Sequence, residues 1–189
     1  VFWFLLTCGV IGGGAYYVQS IAADLRTKPQ YVMGNSPDLY YLEPDLQVEG
    51  QKDLHAYYTR LAMETILNRN PVRLDNEERL GKLFTDEAIA QIQKGVIDSQ
   101  AQTFAEYHLH QKIEIAEITV NIEEGQGKAN TKATGQLIRT GVSGDTTINE
   151  TWSIALFFTW KANKNIEDHA MYPTKCDSVT FFSMERISP

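Results

Sequence analysis

The chain has 189 residues, enough to bury one core, and its 43% hydrophobic and 22% charged content is that of a folded protein rather than a disordered one. A net charge of −7, a pI near 5.1 and the lack of any Lys/Arg run exclude a general polyanion binder. The only cysteines are Cys8, inside an apolar opening, and Cys176, near the far end, so an intrachain disulfide is not expected.

No charged side chain precedes Asp24. A helix needs roughly 20 mostly apolar residues to cross a hydrocarbon core of about 30 Å. Phe2 to Ala23 supply them, interrupted by Thr7, Gln19 and Ser20. Residues 1–24 therefore read as a single transmembrane helix. Phe2, Trp3, Phe4, Leu5 and Leu6 form its apolar start, and Trp3, Tyr16 and Tyr17 are rings that suit membrane interfaces. Gly12, Gly13 and Gly14 offer a close-packing face for another helix. Three other readings compete with it. A cleaved signal peptide has a passable site at Ser20-x-Ala22, but the apolar run is long for one. A lipoprotein signal at "LLTC" has Thr7 where a smaller residue is expected, and the apolar run continues past Cys8. A core helix with no polar face needs complete covering by protein. The start at Val1 instead of Met points to a short cytoplasmic tail upstream. The expected topology puts the C-terminal domain outside the cytoplasm.

Residues 25–50 carry Pro29, Pro37 and Pro44, a spacing that forbids a long helix. They read as a linker with one short strand near Tyr40 to Leu42. Residues 51–189 read as the domain. In "QKDLHAYYTRLAMETILNRNP", Leu54, Tyr57, Tyr58, Leu61, Thr65 and Leu67 contain helical spacings, widened by Ala62 and Ile66. "DNEERLGKLF" starts with Asp75 and Glu78 in a capping-box pattern. "TDEAIAQIQKGVIDSQAQTFAEY" has Thr85 as N-cap and Asp86 and Glu87 where the helix dipole favours them. Its stripe is Ile89, Ile92, Val96 and Phe104.

The period then changes from helical to alternating. Ile113 and Ile115, then Ile118, Val120 and Ile122, recur every second residue, with a phase slip at Ala116-Glu117 that predicts a bulge. "EGQG" and "SGD" are turns between this strand, "KANTKATGQLIRTGV" and "TTINETWSIALFFTWKA". A loop through Pro173 leads to a last strand, "CDSVTFFSMERI". Three helices followed by a four-stranded meander is an α+β pattern, with the helices packed on one face of a curved antiparallel sheet.

The sequence carries little chemistry. His108 and His110 would share one strand face and, with His169, hold a metal in principle, but there is no H-E-x-x-H and no paired C-x-x-C. Two solvated histidines are the simpler reading, and no metal or cofactor is expected. "VSGD" lacks the elbow of a serine nucleophile, and no helix follows it to bind phosphate. Asp98 and Glu106 are candidates for a general base in a cavity, against the plainer reading of wet helix faces. The aromatic stretches are core by default. Tyr57, Tyr58, Phe157 and Phe182 are the candidates for an outward partner surface.

The lone span, the proline-bearing linker, "LHAYYTRLAMETILNRNPVRLDN", "IAQIQKGVIDSQAQTFAEYHLHQKIEI" and "ANTKATGQLIRTGVSGDTTI" together resemble the TraE family of conjugative-transfer proteins. That family is similar to the eighth VirB-type component of type IV secretion systems. The resemblance covers about Phe2 to Ile187, with "GQLIRTG" closest to a signature. It implies one helix in the bacterial inner membrane and a periplasmic domain of the nuclear-transport-factor-like, or cystatin-like, kind. It implies a scaffold without enzymatic activity, assembling with itself and with other channel components, with no direct nucleic-acid binding. The long loop and last strand, "NKNIEDHAMYPTKCDSVTFFSMERISP", depart from the family pattern. The readings kept beside it are a small α+β cone enzyme of isomerase or hydratase type and an extracytoplasmic ligand-binding module.

Overall fold

The computed structural model describes residues 13, 14, 16–21, 32, 33, 40, 41, 50–123, 127–163 and 172–187. The chain divides into two compact units, Val1–Leu46 and Gln47–Pro189. In the first, residues 13, 14 and 16–21 are helical and exposed. Among the described residues no helix is long and apolar enough to cross a membrane. Phe2, Trp3, Phe4, Leu5, Leu6 and Gly12 lie outside the described residues, as does most of the expected span. Strands β1 (Val32–Met33) and β2 (Tyr40–Tyr41) pair antiparallel, so the expected short strand at Tyr40 has a partner that sequence reading missed.

The second unit opens with helix α1 (Lys52–Leu67). Leu54, Tyr58, Ala62 and Ile66 fall on one side by steps of four and are buried, with Met63 beside them. Tyr57 and Leu61, counted in the predicted stripe, turn away from that side, and Tyr57 is exposed. Thr65 stays inside because its hydroxyl donates to the Leu61 carbonyl at 2.7 Å. Past the helix end, Arg69 and Gln111 exchange two backbone hydrogen bonds of 3.0 and 2.8 Å, which tie the chain to the sheet edge.

A 3-10 turn (Glu77–Arg79) runs into α2 (Leu80–Leu83). The predicted capping box is absent. Asn76 is the N-cap and makes no side-chain cap bond, while the Asp75 carboxylate pairs with Lys112 and accepts from Asn70 Nδ2. Thr85 does cap α3 (Asp86–Ile92), its hydroxyl accepting from Ala88 N at 3.4 Å. The third predicted helix is one continuous path in three parts: α3, a π-helical segment (Gln93–Asp98) and α4 (Ser99–Glu106). α4 ends in a Schellman motif, with Leu109 N bonding Phe104 O at 2.9 Å and His108 N bonding Ala105 O at 3.4 Å. His108 takes the left-handed position at φ 46°.

Four long strands follow: β3 (His110–Glu123), β4 (Lys128–Ser143), β5 (Thr146–Ala162) and β6 (Thr174–Ile187). They pair antiparallel in sequence order. The predicted bulge is present, as the β3–β4 register shifts between Ile115 and Glu117. Two more shifts occur between β5 and β6, and such bulges bend and twist a sheet. The inner face carries Ala129, Ala133 and Leu137 of β4 and Ile154, Leu156, Phe158 and Trp160 of β5, all buried. Each large apolar side chain removed from water here contributes about 1.5–3 kcal/mol. β6 is held at its start by a bridge from Phe84 to Cys176 and by Thr85 N donating to Cys176 O at 3.0 Å. The unit is α+β, with a few helices on one side of a curved antiparallel sheet.

Candidate functional site

The four candidates for a partner surface do not form one patch. Phe157 is 38% exposed and lies opposite Lys132 and Thr180, on the side of the sheet away from the helices. The Lys132 ammonium sits 5.9 Å from its ring centroid, a weak cation–π contact at an exposed site. Polar residues such as Lys132, Gln136 and Ser153 surround it in the outward phase. Tyr57 is 37% exposed but belongs to α1, on the inner side. Tyr58 is a correction: at 1% exposure it is core, its ring 5.0 Å from Tyr172 and 6.4 Å from Trp160. The Phe182 side chain lies outside the described residues. Its neighbour Phe181 is exposed, but pairs with Leu156 and so stands in the inward phase at the sheet edge.

In the first unit, Tyr16 and Tyr17 are exposed, and a Cβ on Gly13 or Gly14 would meet nothing within 4 Å. In the second, the general-base candidates Asp98 and Glu106 face water, as does His108: all three are exposed. His108 and His110 do not share a strand face, because β3 begins at His110 and His108 forms the helix stop. His169 lies outside the described residues, and among the described residues no cluster of metal-binding side chains occurs. Cys176 is buried, and burial pushes its thiol well above the usual range.

The most unusual side chains are ones that motif reading passed over. Arg69 is 2% exposed, and its guanidinium carbon lies 3.9 Å from the Phe104 ring centroid. Arg139 reaches the same ring at 5.4 Å and the Trp152 ring at 5.6 Å. Two cations therefore converge on Phe104 of α4. Arg139 Nε donates to Gln111 Oε1 at 2.7 Å, and its Nη2 donates to Gln100 Oε1 at 2.9 Å. Gln111 is itself buried and donates through Nε2 to Leu67 O at 2.6 Å. Burial disfavours the cation of each arginine; for Arg139 the nearby Arg69 adds to this and Glu150 opposes it.

Sheet register explains the placement. Gln111, Arg139 and Glu150 are opposite one another on β3, β4 and β5, in the phase that otherwise carries Ile113, Leu137 and Ile154. A polar row within an apolar phase is the signal that was available in "HQKIEI" and "GQLIRTG". No family model, curated protein or solved structure matches the chain.

Proposed function

We propose that this chain is a bitopic inner-membrane scaffold of a conjugative type IV secretion machinery, of the TraE kind. Its periplasmic domain would have the nuclear-transport-factor-like form and assemble with itself and with other channel components. The observation that supports the reading is the order of elements: a helix over "LHAYYTRLAMETIL", a helix-to-strand passage over "IAQIQKGVIDSQAQTFAEYHLHQKIEI" and a strand pair over "ANTKATGQLIRTGVSGDTTI" occur in the order of the resembling segments. The exposure of Asp98, Glu106 and His108 favours a scaffold over an acid–base enzyme, because a catalytic carboxylate or imidazole works best where water is excluded. Crosslinking of the full chain in membranes, with the transfer components co-expressed, tests the proposal. Ladders of self-association and capture of channel components are expected. A strictly monomeric chain that captures none of them would overturn it.

A further inference from the structure

Arg69 has five N–H donors. Among the described residues its side chain makes one hydrogen bond, Nη1 to the Val96 carbonyl at 3.5 Å. Its Nε is sealed from solvent and has no partner among the described residues. Among the described residues no carboxylate stands within ion-pair distance of either Arg69 or Arg139. Arg139 gives Nε and Nη2 to neutral amide oxygens, which leaves Nη1 without a bond among the described residues. Glu150 is engaged elsewhere, accepting from Arg186 Nη2 at 3.2 Å and Trp152 Nε1 at 3.1 Å.

A buried cation with as few acceptors as Arg69 has costs free energy unless a negative group meets it, and the face of Phe104 replaces only part of the lost hydration. The arrangement is also fixed in advance. Backbone bonds to Gln111 hold Arg69, and two amide side chains hold Arg139, so an incoming anion displaces no resident carboxylate. The Val96 carbonyl comes from the π-helical segment, a type of turn frequent at functional sites.

We propose that Arg69 and Arg139 form a receptor for one oxyanion, a carboxylate or a phosphate, entering beside the half-exposed Arg139. The fork of each guanidinium suits two oxygens of one planar or tetrahedral group. The site does not depend on the scaffold reading. Isothermal titration of the full chain at low ionic strength with sodium phosphate, and separately with sodium glutarate, tests it. At least one of them is expected to bind saturably at one per chain, while sodium chloride at matched ionic strength does not. Binding of phosphate alone or glutarate alone supports the site and tells which oxyanion it takes. Arg139→Gln is expected to weaken binding about tenfold, the loss of a charge-assisted hydrogen bond. Arg69→Met should weaken it further, and Arg139→Gln keeps the test alive if that variant does not fold. Absence of saturable binding up to tens of millimolar, an equal response to chloride, or unchanged affinity in Arg139→Gln would overturn the proposal.

Discussion

A methyl group on Gly135 would stand 2.3 Å from the Glu114 carbonyl oxygen and 3.1 Å from Ile115 Cα. Both are backbone, beside the β3 bulge, and cannot swing away. At Gly141 the same methyl would meet the Tyr107 carbonyl at 2.5 Å, where the helix-to-strand turn crosses β4. Val142 N bonds that carbonyl at 2.9 Å. The "GQLIRTG" stretch thus has a physical content residue by residue: glycines for two close approaches, Leu137 for the core and Arg139 for the cation pair. Gly135→Ala is expected to destabilise the domain by about 1–3 kcal/mol, as overpacking does. Urea denaturation with an unchanged midpoint would mean that β3 does not approach so closely. Cys176 gives a second test at this scale. Buried, with its thiol donating to Ser178 O at 3.2 Å and its ionisation suppressed, it should resist thiol reagents until the domain unfolds. Rapid labelling of the native protein would refute that burial.

Among the elements, the helix stop at His108 is the one whose residue type disagrees with its backbone. The left-handed position costs a side-chain-bearing residue about 1 kcal/mol, and glycine is the usual occupant. His108→Gly is therefore expected to stabilise the domain by about 0.5–1 kcal/mol in thermal or urea unfolding, after the added freedom of the unfolded chain is counted. A loss of stability would show that the imidazole makes a contact worth more than the strain. The same residue shows where sequence reading fails. The strand period places His108 and His110 on one face, but nothing local announces that the strand starts two residues later. The Ala116-Glu117 slip was legible because a bulge moves every later apolar residue to odd or even phase at once. The Thr85 cap was legible because a hydroxyl followed by two acids has few other uses. Asp75 looked equally like a cap, yet Lys112, distant in sequence, took its carboxylate. Tyr57 and Tyr58 could not be separated by composition; a 100° step between neighbours puts one in water and the other beneath Tyr172. The arginine pair was hidden for the same reason, since its two members are 70 positions apart and meet only through sheet register and the placement of Phe104.

For the whole molecule, the scaffold proposal gives the apolar opening a task beyond attachment. Gly13→Glu places a charge in that stretch at a cost on the order of 3 kcal/mol if the stretch lies in lipid. Membrane crosslinking is expected to fall, while the unfolding midpoint of the domain stays constant, since Gly13 belongs to the other compact unit. Unchanged crosslinking would remove the glycine face from the assembly.

The length of the central hairpin has its own consequence. β4 and β5 pair without interruption from Lys128–Lys161 to Ser143–Thr146, but residues 142–147 are exposed and no buried side chain anchors them. Backbone bonds that lack burial open with little free energy, whereas those over Ala133 and Leu137 open only with the core. Amide protons along one strand should therefore exchange with deuterium on a graded clock, fast at Ser143, paired with Thr146 at the exposed tip, and slow at Ala133. Such a tip can open without unfolding the domain behind it.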